Sequence, residues 1–229
     1  MKNLDQYILE SLKGYKPGTI DTKKPKEQLP ENCSEYFANQ KVYVDDIENL
    51  DTSNVTNMGR MFESTKFNNT SVDLSGWDVS NVKDMNNMFS WSNIEYLDLS
   101  NWDVSNVKDI SSMFDTCTHL EYLDMSGWDT SNICQVGTVY TFSTCYALSD
   151  IRFGPGWFKS KNMKNLILAG CNQDNLYKFS NETYESMLTM YDRKKAGFEN
   201  ATIWMNRTNN IPDGWIEKME ERGYIIDYV

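Results

Sequence analysis

Three stretches of this 229-residue chain are near copies of one another. They are LSGWDVSNV at residues 74–82, LSNWDVSNV at residues 99–107 and MSGWDTSNI at residues 125–133. Counted from Asp51, the aspartate of this motif recurs after 27, 25 and 26 residues. A period of this length is typical of a solenoid, because one such repeat cannot bury its apolar side without stacking on its neighbours.

The residues before each Trp alternate between apolar and polar side chains. Residues 94–102 and 120–128 follow the spacing of leucine-rich repeats, with Trp at the position that usually holds Asn or Cys. Alternation predicts a short strand, because successive side chains of a strand point to opposite faces. We expect the inward set to be Leu97, Leu99, Leu123 and Met125, and the outward set to be Tyr96, Asp98, Tyr122 and Asp124.

A second apolar pattern follows the Asp of each motif. Val82, Met85, Met88 and Phe89 are separated by three, three and one residues, and the same spacing recurs in the flanking copies. It predicts one face of a short helix, whose first turn is capped by side-chain oxygens of the preceding Asp-x-Ser-Asn. The predicted fold class is therefore α/β: a leucine-rich-repeat-like solenoid with one short strand and one short helix per repeat of about 26 residues.

The chain is predicted to have three parts. Residues 1–41 contain a short helix and a Lys- and Pro-bearing tether, and residues 42–171 form the solenoid. Residues 172–229 show helix and strand patterns, with a helix predicted from Asn181 to Lys195. We assign this α+β segment to a C-terminal cap, because a terminal repeat must shield the open end of the core.

One string carries a specific resemblance. LDLSNWDVSNV at residues 97–107, followed by Met113-Phe114 and Cys117-x-x-Leu120, resembles the BspA-like leucine-rich-repeat family, and the resemblance extends over residues 42–171. Many members of that family are surface proteins of bacteria and of some protists, mostly described as adhesins or binding surfaces without catalytic residues. The resemblance implies a repeat fold and, more loosely, a binding role, since a fold does not fix a function.

Acidic side chains dominate the repeats and the cap. The net charge is −11; residues 1–41 carry 7 Lys and 6 Asp or Glu, whereas the remainder carries 15 basic and 27 acidic side chains. Such a surface repels phosphate backbones, so nucleic acid is not an expected partner. We expect a protein partner, either one with a basic surface or an assembly subunit, and a glycan is a further candidate. No stretch has the ~20 apolar residues that a membrane span needs.

Outward strand positions predict a binding face. Aspartates recur in one column of the stacked repeats, and Arg152 occupies the same position in a later repeat. Like charges about 4.8 Å apart repel one another unless water, a cation or a partner's basic group lies beside them. The column is a solvated face with Arg152 as its end-cap on Asp124, a ligand face that includes the neighbouring Tyr side chains or, as a minor alternative, a metal site. The candidate binding residues are Asp46, Asp73, Tyr96, Asp98, Tyr122, Asp124 and Arg152.

Residues suited to catalysis are scarce. His119 is the single histidine and lies in a predicted loop, and no Ser or Cys nucleophile has an identifiable base. The spaced Asp-Gly loop of a calcium site is absent, so neither a metal nor a cofactor is predicted. Cys117 and Cys145 are expected to stack on neighbouring repeats as buried thiols, with oxidation as the alternative, and Cys171 is expected to be structural.

The N-terminal residues carry a short apolar stripe. Asp5 and Glu10 interrupt the apolar run, so no signal peptide is predicted, which favours a virion, another particle or the cytoplasm over the cell surface. The stripe is either a terminal capping helix or a docking peptide on a tether. Its candidate docking residues are Leu4, Tyr7, Ile8 and Leu12.

These observations favour a non-catalytic recognition or assembly module that presents an acidic, Tyr-bearing solenoid face. The preferred context is a phage virion or another particle, to which the protein is anchored through its N-terminus. The alternative is a bacterial or protist cell-surface adhesin, or an intracellular protein-binding scaffold. An enzyme is a third, minor alternative.

Deletion of residues 1–12 should abolish incorporation into the assembly and leave the melting temperature nearly unchanged. Isolated helices shorter than ~12–15 residues are marginal in water, so the apolar stripe needs a surface to dock on. A thermal melt and co-sedimentation with particles measure the two effects. A large loss of stability with recruitment preserved would show that the stripe is only the N-terminal cap.

Overall fold

The computed structural model of the protein describes residues 27–48, 50–134, 141–171, 179–206 and 211–228. In these ranges the chain winds into a solenoid of about seven turns. The elements are β1 (Lys41–Val42), α1 (Val44–Ile47), β2 (Lys66–Phe67), β3 (Ser71–Val72), β4 (Tyr96–Asp98), β5 (Tyr122–Asp124), β6 (Asp150–Arg152), β7 (Asn165–Ile167), α2 (Asn181–Met187), β8 (Ala201–Met205), α3 (Trp215–Glu221) and β9 (Tyr224–Tyr228).

The strands of this part of the chain form three parallel sheets. β1 pairs with β2, the strands β3 to β6 follow one another in order, and β7, β8 and β9 form the third sheet. Tyr96 lies opposite Tyr122, and Asp98 lies opposite Asp124, as repeats of equal phase require. Leu97 is buried while its neighbours in β4 are exposed, so the predicted alternation of inward and outward side chains is observed.

The segment after each Trp is a run of turns, not the α-helix that the spacing predicts. Alternate backbone N–H groups leave their own coil: those of Met58, Arg60 and Phe62 donate to carbonyl oxygens of the next coil at 2.8, 2.7 and 2.8 Å. The N–H of Met61 instead donates three residues back, to Met58 at 3.2 Å. An α-helix needs every N–H for the residue four positions earlier, so bonding between coils replaces the predicted helix.

Left-handed backbone at two positions per coil completes this turn segment. Arg60 and Ser64 have φ of 58° and 56°, and Asn87 and Trp91 repeat the pattern at 52° and 62°. Residues with positive φ interrupt a right-handed helix. The apolar positions of the predicted helix nevertheless face inward: Val82, Met85, Met88 and Phe89 are fully buried.

Phenylalanine rings from successive coils form a continuous stack in the core. Neighbouring ring centroids lie 5.3, 5.5, 5.7 and 5.8 Å apart, with interplanar angles of 14° or less. Offset stacking at these distances is favourable beyond the area that the rings bury. The rings belong to Phe37, Phe62, Phe89, Phe114 and Phe142.

The Trp of each motif packs in the core and also joins two coils. Trp102 is 2% exposed, and its Nε1 donates to the Leu74 carbonyl oxygen at 3.1 Å. Trp128 repeats this bond one coil later, to Leu99 at 2.9 Å. Beside it Gly127 is required, because a Cβ there would lie 2.0 Å from the Ser100 carbonyl oxygen.

The C-terminal segment packs on the last coils through a buried arginine. Arg193 is fully buried, and its guanidinium donates to the carbonyl oxygens of Phe158, Ser160 and Glu199 at 2.9, 3.1 and 2.9 Å. Burial lowers the pKa of Arg193. The helix predicted from Asn181 to Lys195 is wrong in extent: α2 ends at Met187, and Met190 donates back to the Met187 carbonyl oxygen in a turn.

Replacing Trp102 by Ala should lower the free energy of unfolding by about 3–5 kcal/mol. The change empties a site in the aromatic core and leaves the Leu74 carbonyl oxygen without its Nε1 donor. Urea unfolding measures the change in the free energy of unfolding. The matched control is Trp91→Ala, at a Trp that is 63% exposed, where a change of about 0.5 kcal/mol or less is expected. Equal effects of the two variants would contradict a core role for Trp102.

Candidate interaction surface

Parallel stacking brings the predicted binding residues into two rows on the outside of the second sheet, which we call the sheet face. In the first row Tyr96 and Tyr122 are register partners, preceded by Ser71 and followed by Asp150. The second row runs from Asp73, after β3, through Asp98 and Asp124 to Arg152. Asp46 lies in α1, outside this sheet.

The two tyrosines are held by hydrogen bonds to carboxylates. Tyr96, 45% exposed, donates its hydroxyl to Glu121 Oε2 at 2.7 Å, and this bond raises the pKa of Tyr96. Tyr122 is half-buried and donates to Asp124 Oδ2 at 3.2 Å. Burial, followed by the charge of Asp124, raises the pKa of Tyr122 to about 12. Both hydroxyls are therefore protonated donors at neutral pH, and both rings have a fixed direction.

The aspartates of the second row shape the backbone. Oδ1 of Asp73, of Asp98 and of Asp124 accepts the N–H of the serine two residues later, at 2.9, 2.9 and 2.8 Å. An Asp that bonds the chain two residues on makes an Asx turn. The bonds from Ser75 lower the pKa of Asp73. Each aspartate thus turns the chain with one oxygen and keeps a charge at the surface.

The same turn recurs at two other corners of the coil. Asp78 and Asp103 accept the N–H of Ser80 and Ser105 at 3.0 and 3.0 Å. Asp84 accepts that of Asn86 at 2.9 Å. Much of the acidity of the chain therefore serves turn formation. The Asp-x-Ser spacing in the sequence carried this signal, which an interpretation of the aspartates as a ligand column overlooks.

Arg152 forms its ion pair within its own strand, with a geometry that differs from the predicted end-cap on Asp124. Its Nε and Nη2 donate to Asp150 Oδ1 and Oδ2 at 2.7 and 2.8 Å. A two-pronged pair of this kind fixes both side chains. Because they alternate with the buried Ile151, Asp150 and Arg152 share the outward side of β6. Arg152 therefore ends the aspartate row as one half of an ion pair with Asp150, and not as the predicted partner of Asp124.

The histidine and the cysteines have structural surroundings. His119 Nδ1 lies 3.1 Å from the Thr118 hydroxyl in an exposed loop. Cys117 and Cys145 are buried free thiols that donate to the carbonyl oxygens of Phe89 and Phe114 at 3.0 and 3.0 Å. Burial raises the pKa of both thiols. In the ranges described above, no group of three or more His, Cys, Asp or Glu side chains is placed to hold a metal ion.

The apolar stripe predicted for docking lies outside the described residues. It consists of Leu4, Tyr7, Ile8 and Leu12. Among the helices that the structure describes, none has the length and hydropathy of a transmembrane segment.

More than half of the chain matches one known protein family. Residues 31–151 match the model of a family described as "Mycoplasma protein of unknown function, DUF285", which covers more than half of the chain. The chain belongs to the DUF285 family. The DUF285 match runs from the first described coil to Ile151, so it includes the sheet face except for Arg152. No curated protein and no solved structure matches the chain.

The lowered pKa of Asp73 predicts a specific pH dependence of stability. Because the folded state favours the carboxylate, its stabilisation is present above the ordinary pKa of 3.8 and is lost as the pH falls through the lower folded value. Asp73→Asn keeps the acceptor oxygen and loses the charge. Urea unfolding should show wild type more stable at neutral pH, with the difference shrinking below pH 3.8. A difference that grows on acidification would contradict the assignment.

Proposed function

We propose that this chain is a non-catalytic recognition or assembly module whose sheet face binds a protein with a basic surface. The observation that carries the proposal is the pair Tyr96 and Tyr122, register partners on the outward side of neighbouring strands whose hydroxyls donate to Glu121 and Asp124. Tyrosine is enriched among the residues that dominate protein–protein interfaces, because it offers a large contact area with few rotatable bonds. Rigid anchoring also lowers the entropy lost on binding.

Charge supports a basic partner. The row of Asp73, Asp98 and Asp124 runs beside the tyrosines on a chain of net charge −11. Complementary charge at the rim of an interface speeds encounter and suppresses wrong partners more than it adds affinity. We therefore propose that the tyrosines make the main contact with the partner and that the aspartates determine which partner is selected.

The finer kinship and the setting belong to the same proposal. The repeat string at residues 97–107 supports a BspA-like, leucine-rich-repeat type of solenoid within the DUF285 family. We place the protein in a virion or another particle, with the stripe of Leu4, Tyr7, Ile8 and Leu12 as its anchor. A cell-surface adhesin or an intracellular scaffold is the alternative that the BspA-like resemblance supports.

The Asx turns allow the charge to be removed without disturbing the fold. In the double variant Asp98→Asn with Asp124→Asn, the side-chain oxygen that accepts the serine N–H is retained and two negative charges are lost. The Tyr122 hydroxyl, which donates to Asp124 Oδ2 in the wild type, can accept from the new amide N–H at position 124 instead. We expect proteins captured by the wild-type chain at low salt to be bound at least tenfold more weakly by this variant. The remaining binding should depend less on salt, because fewer charges contribute. Quantitative affinity capture at two salt concentrations measures both effects.

The matched control removes the same charge from another corner of the coil. Asp78→Asn with Asp103→Asn alters two exposed Asx-turn aspartates that lie outside the sheet face. Capture by this control should equal that by the wild-type chain. Equal weakening by both double variants would mean that only net charge matters, and unchanged capture by the Asp98/Asp124 variant would reject the sheet face as the binding surface.

A further inference from the structure

A groove of about 590 Å³ opens where the turn segments meet the first strands. Pockets of this size suit a small ligand. Its lining is rich in amide, hydroxyl and amino groups and lies on three successive coils. The lining side chains used below are Asn39, Gln40, Lys41, Ser64, Lys66 and Asn93.

Two lysines give the groove a positive charge on an otherwise acidic protein. Lys41 and Lys66 are register partners in β1 and β2, and both are exposed. Within the described part of the chain, the ion pairs involve other residues, and the Lys41 ammonium lies 5.3 Å from the centre of the Tyr43 ring. Like charges directly opposite each other on neighbouring strands destabilise a sheet. An anion in the groove would remove that cost.

Asn93 gives the groove a fixed wall. Its Oδ1 accepts the N–H of Phe67 at 2.7 Å, and its Nδ2 donates to the Phe67 carbonyl oxygen at 3.1 Å. The amide is thereby held across two coils in one orientation. A polar wall of this kind is already ordered before a ligand arrives, which lowers the cost of binding.

Trp91 is the next residue of the column that contains the lining residues Asn39 and Ser64. The N–H of Ser64 donates to the Ser90 carbonyl oxygen at 2.8 Å, which sets Trp91 one coil beyond Ser64 and two residues before Asn93. Its side chain is 63% exposed and its φ is 62°. The left-handed conformation favours Asn or Gly over bulky residues, and Asn39 holds the same position in an earlier coil. Trp at this position therefore costs stability and exposes an indole, which points to a ligand.

We propose that the groove is a binding site for an acidic saccharide. The carboxylate of the sugar lies between the ammonium groups of Lys41 and Lys66, and the flat face of the ring packs on the indole of Trp91. The amides of Asn39, Gln40 and Asn93 and the hydroxyl of Ser64 bond to the sugar hydroxyls. Amide, hydroxyl and ammonium groups beside an exposed indole match the alternating polar and apolar surfaces of a pyranose better than those of a peptide.

The test uses 3′-sialyllactose as the probe and lactose as its uncharged counterpart, titrated calorimetrically into the full chain. We expect sialyllactose to bind at least tenfold more tightly than lactose. Trp91→Asn should lower the affinity at least tenfold and leave the melting temperature equal or raise it, because Asn tolerates the left-handed backbone. Lys66→Gln should reduce the preference for the charged sugar, because Lys41 alone remains beside the carboxylate. The matched control is Thr116→Asn, at the next left-handed position of the same column, and should bind as wild type does.

Three outcomes would overturn the proposal. Equal binding of sialyllactose and lactose would remove the role of the lysines, and unchanged binding by Trp91→Asn would remove the role of the indole. A short polyglutamate peptide that binds as tightly as sialyllactose would show that the groove takes an acidic protein segment. A lower melting temperature of Trp91→Asn would show that the fold needs this Trp after all.

Discussion

Backbone hydrogen bonding between coils is the interaction on which the rest of the structure depends. In the turn segments alternate N–H groups donate to the next coil, and the parallel strands are paired in the same register. Because each coil satisfies the polar groups of its neighbour, identical positions must lie above one another. Columns of like residues follow from this constraint: the stacked Phe rings, the Trp indoles, and the Asn side chains of which Asn106 donates to Ser80 at 2.7 Å.

The same constraint explains the buried cysteines without redox chemistry. Thr65 Oγ1 donates to the Phe37 carbonyl oxygen at 2.7 Å, and Cys117, Cys145 and Cys171 make the corresponding bonds in later coils at 3.0, 3.0 and 3.4 Å. A hydroxyl or a thiol at this position can thus donate the same hydrogen bond to a Phe carbonyl oxygen of the preceding coil. The side chain supplies a second hydrogen bond, because the carbonyl oxygens of Phe89 and Phe114 already accept a backbone N–H at 3.0 and 3.2 Å. The repeat pattern predicts buried free thiols, but their donor role depends on which carbonyl oxygen lies opposite.

The repeat period and the faces of the strands could be predicted from the sequence, because alternation at Tyr96, Leu97 and Asp98 has a single structural meaning. The conformation of the segment after each Trp could not be predicted in the same way. A spacing of three, three and one fits a helical face and equally a run of turns, and the choice depends on whether N–H groups such as that of Met58 bond within the coil or across it. Arg152 shows the same limit: alignment placed it beside Asp124, but Asp150 on its own strand offers both oxygens.

Near-identical coils allow misalignment during folding, because a segment displaced by one whole repeat would meet an almost equivalent neighbour. Gly127 marks one difference between the coils. One coil earlier the same position holds Asn101, and a Cβ at the site of Gly127 would come within 2.0 Å of the Ser100 carbonyl oxygen. A side chain such as that of Asn101 could not occupy that site, so the segments of the two coils are not interchangeable. The differences between the repeats, as much as their likeness, therefore restrict which segment can form which coil.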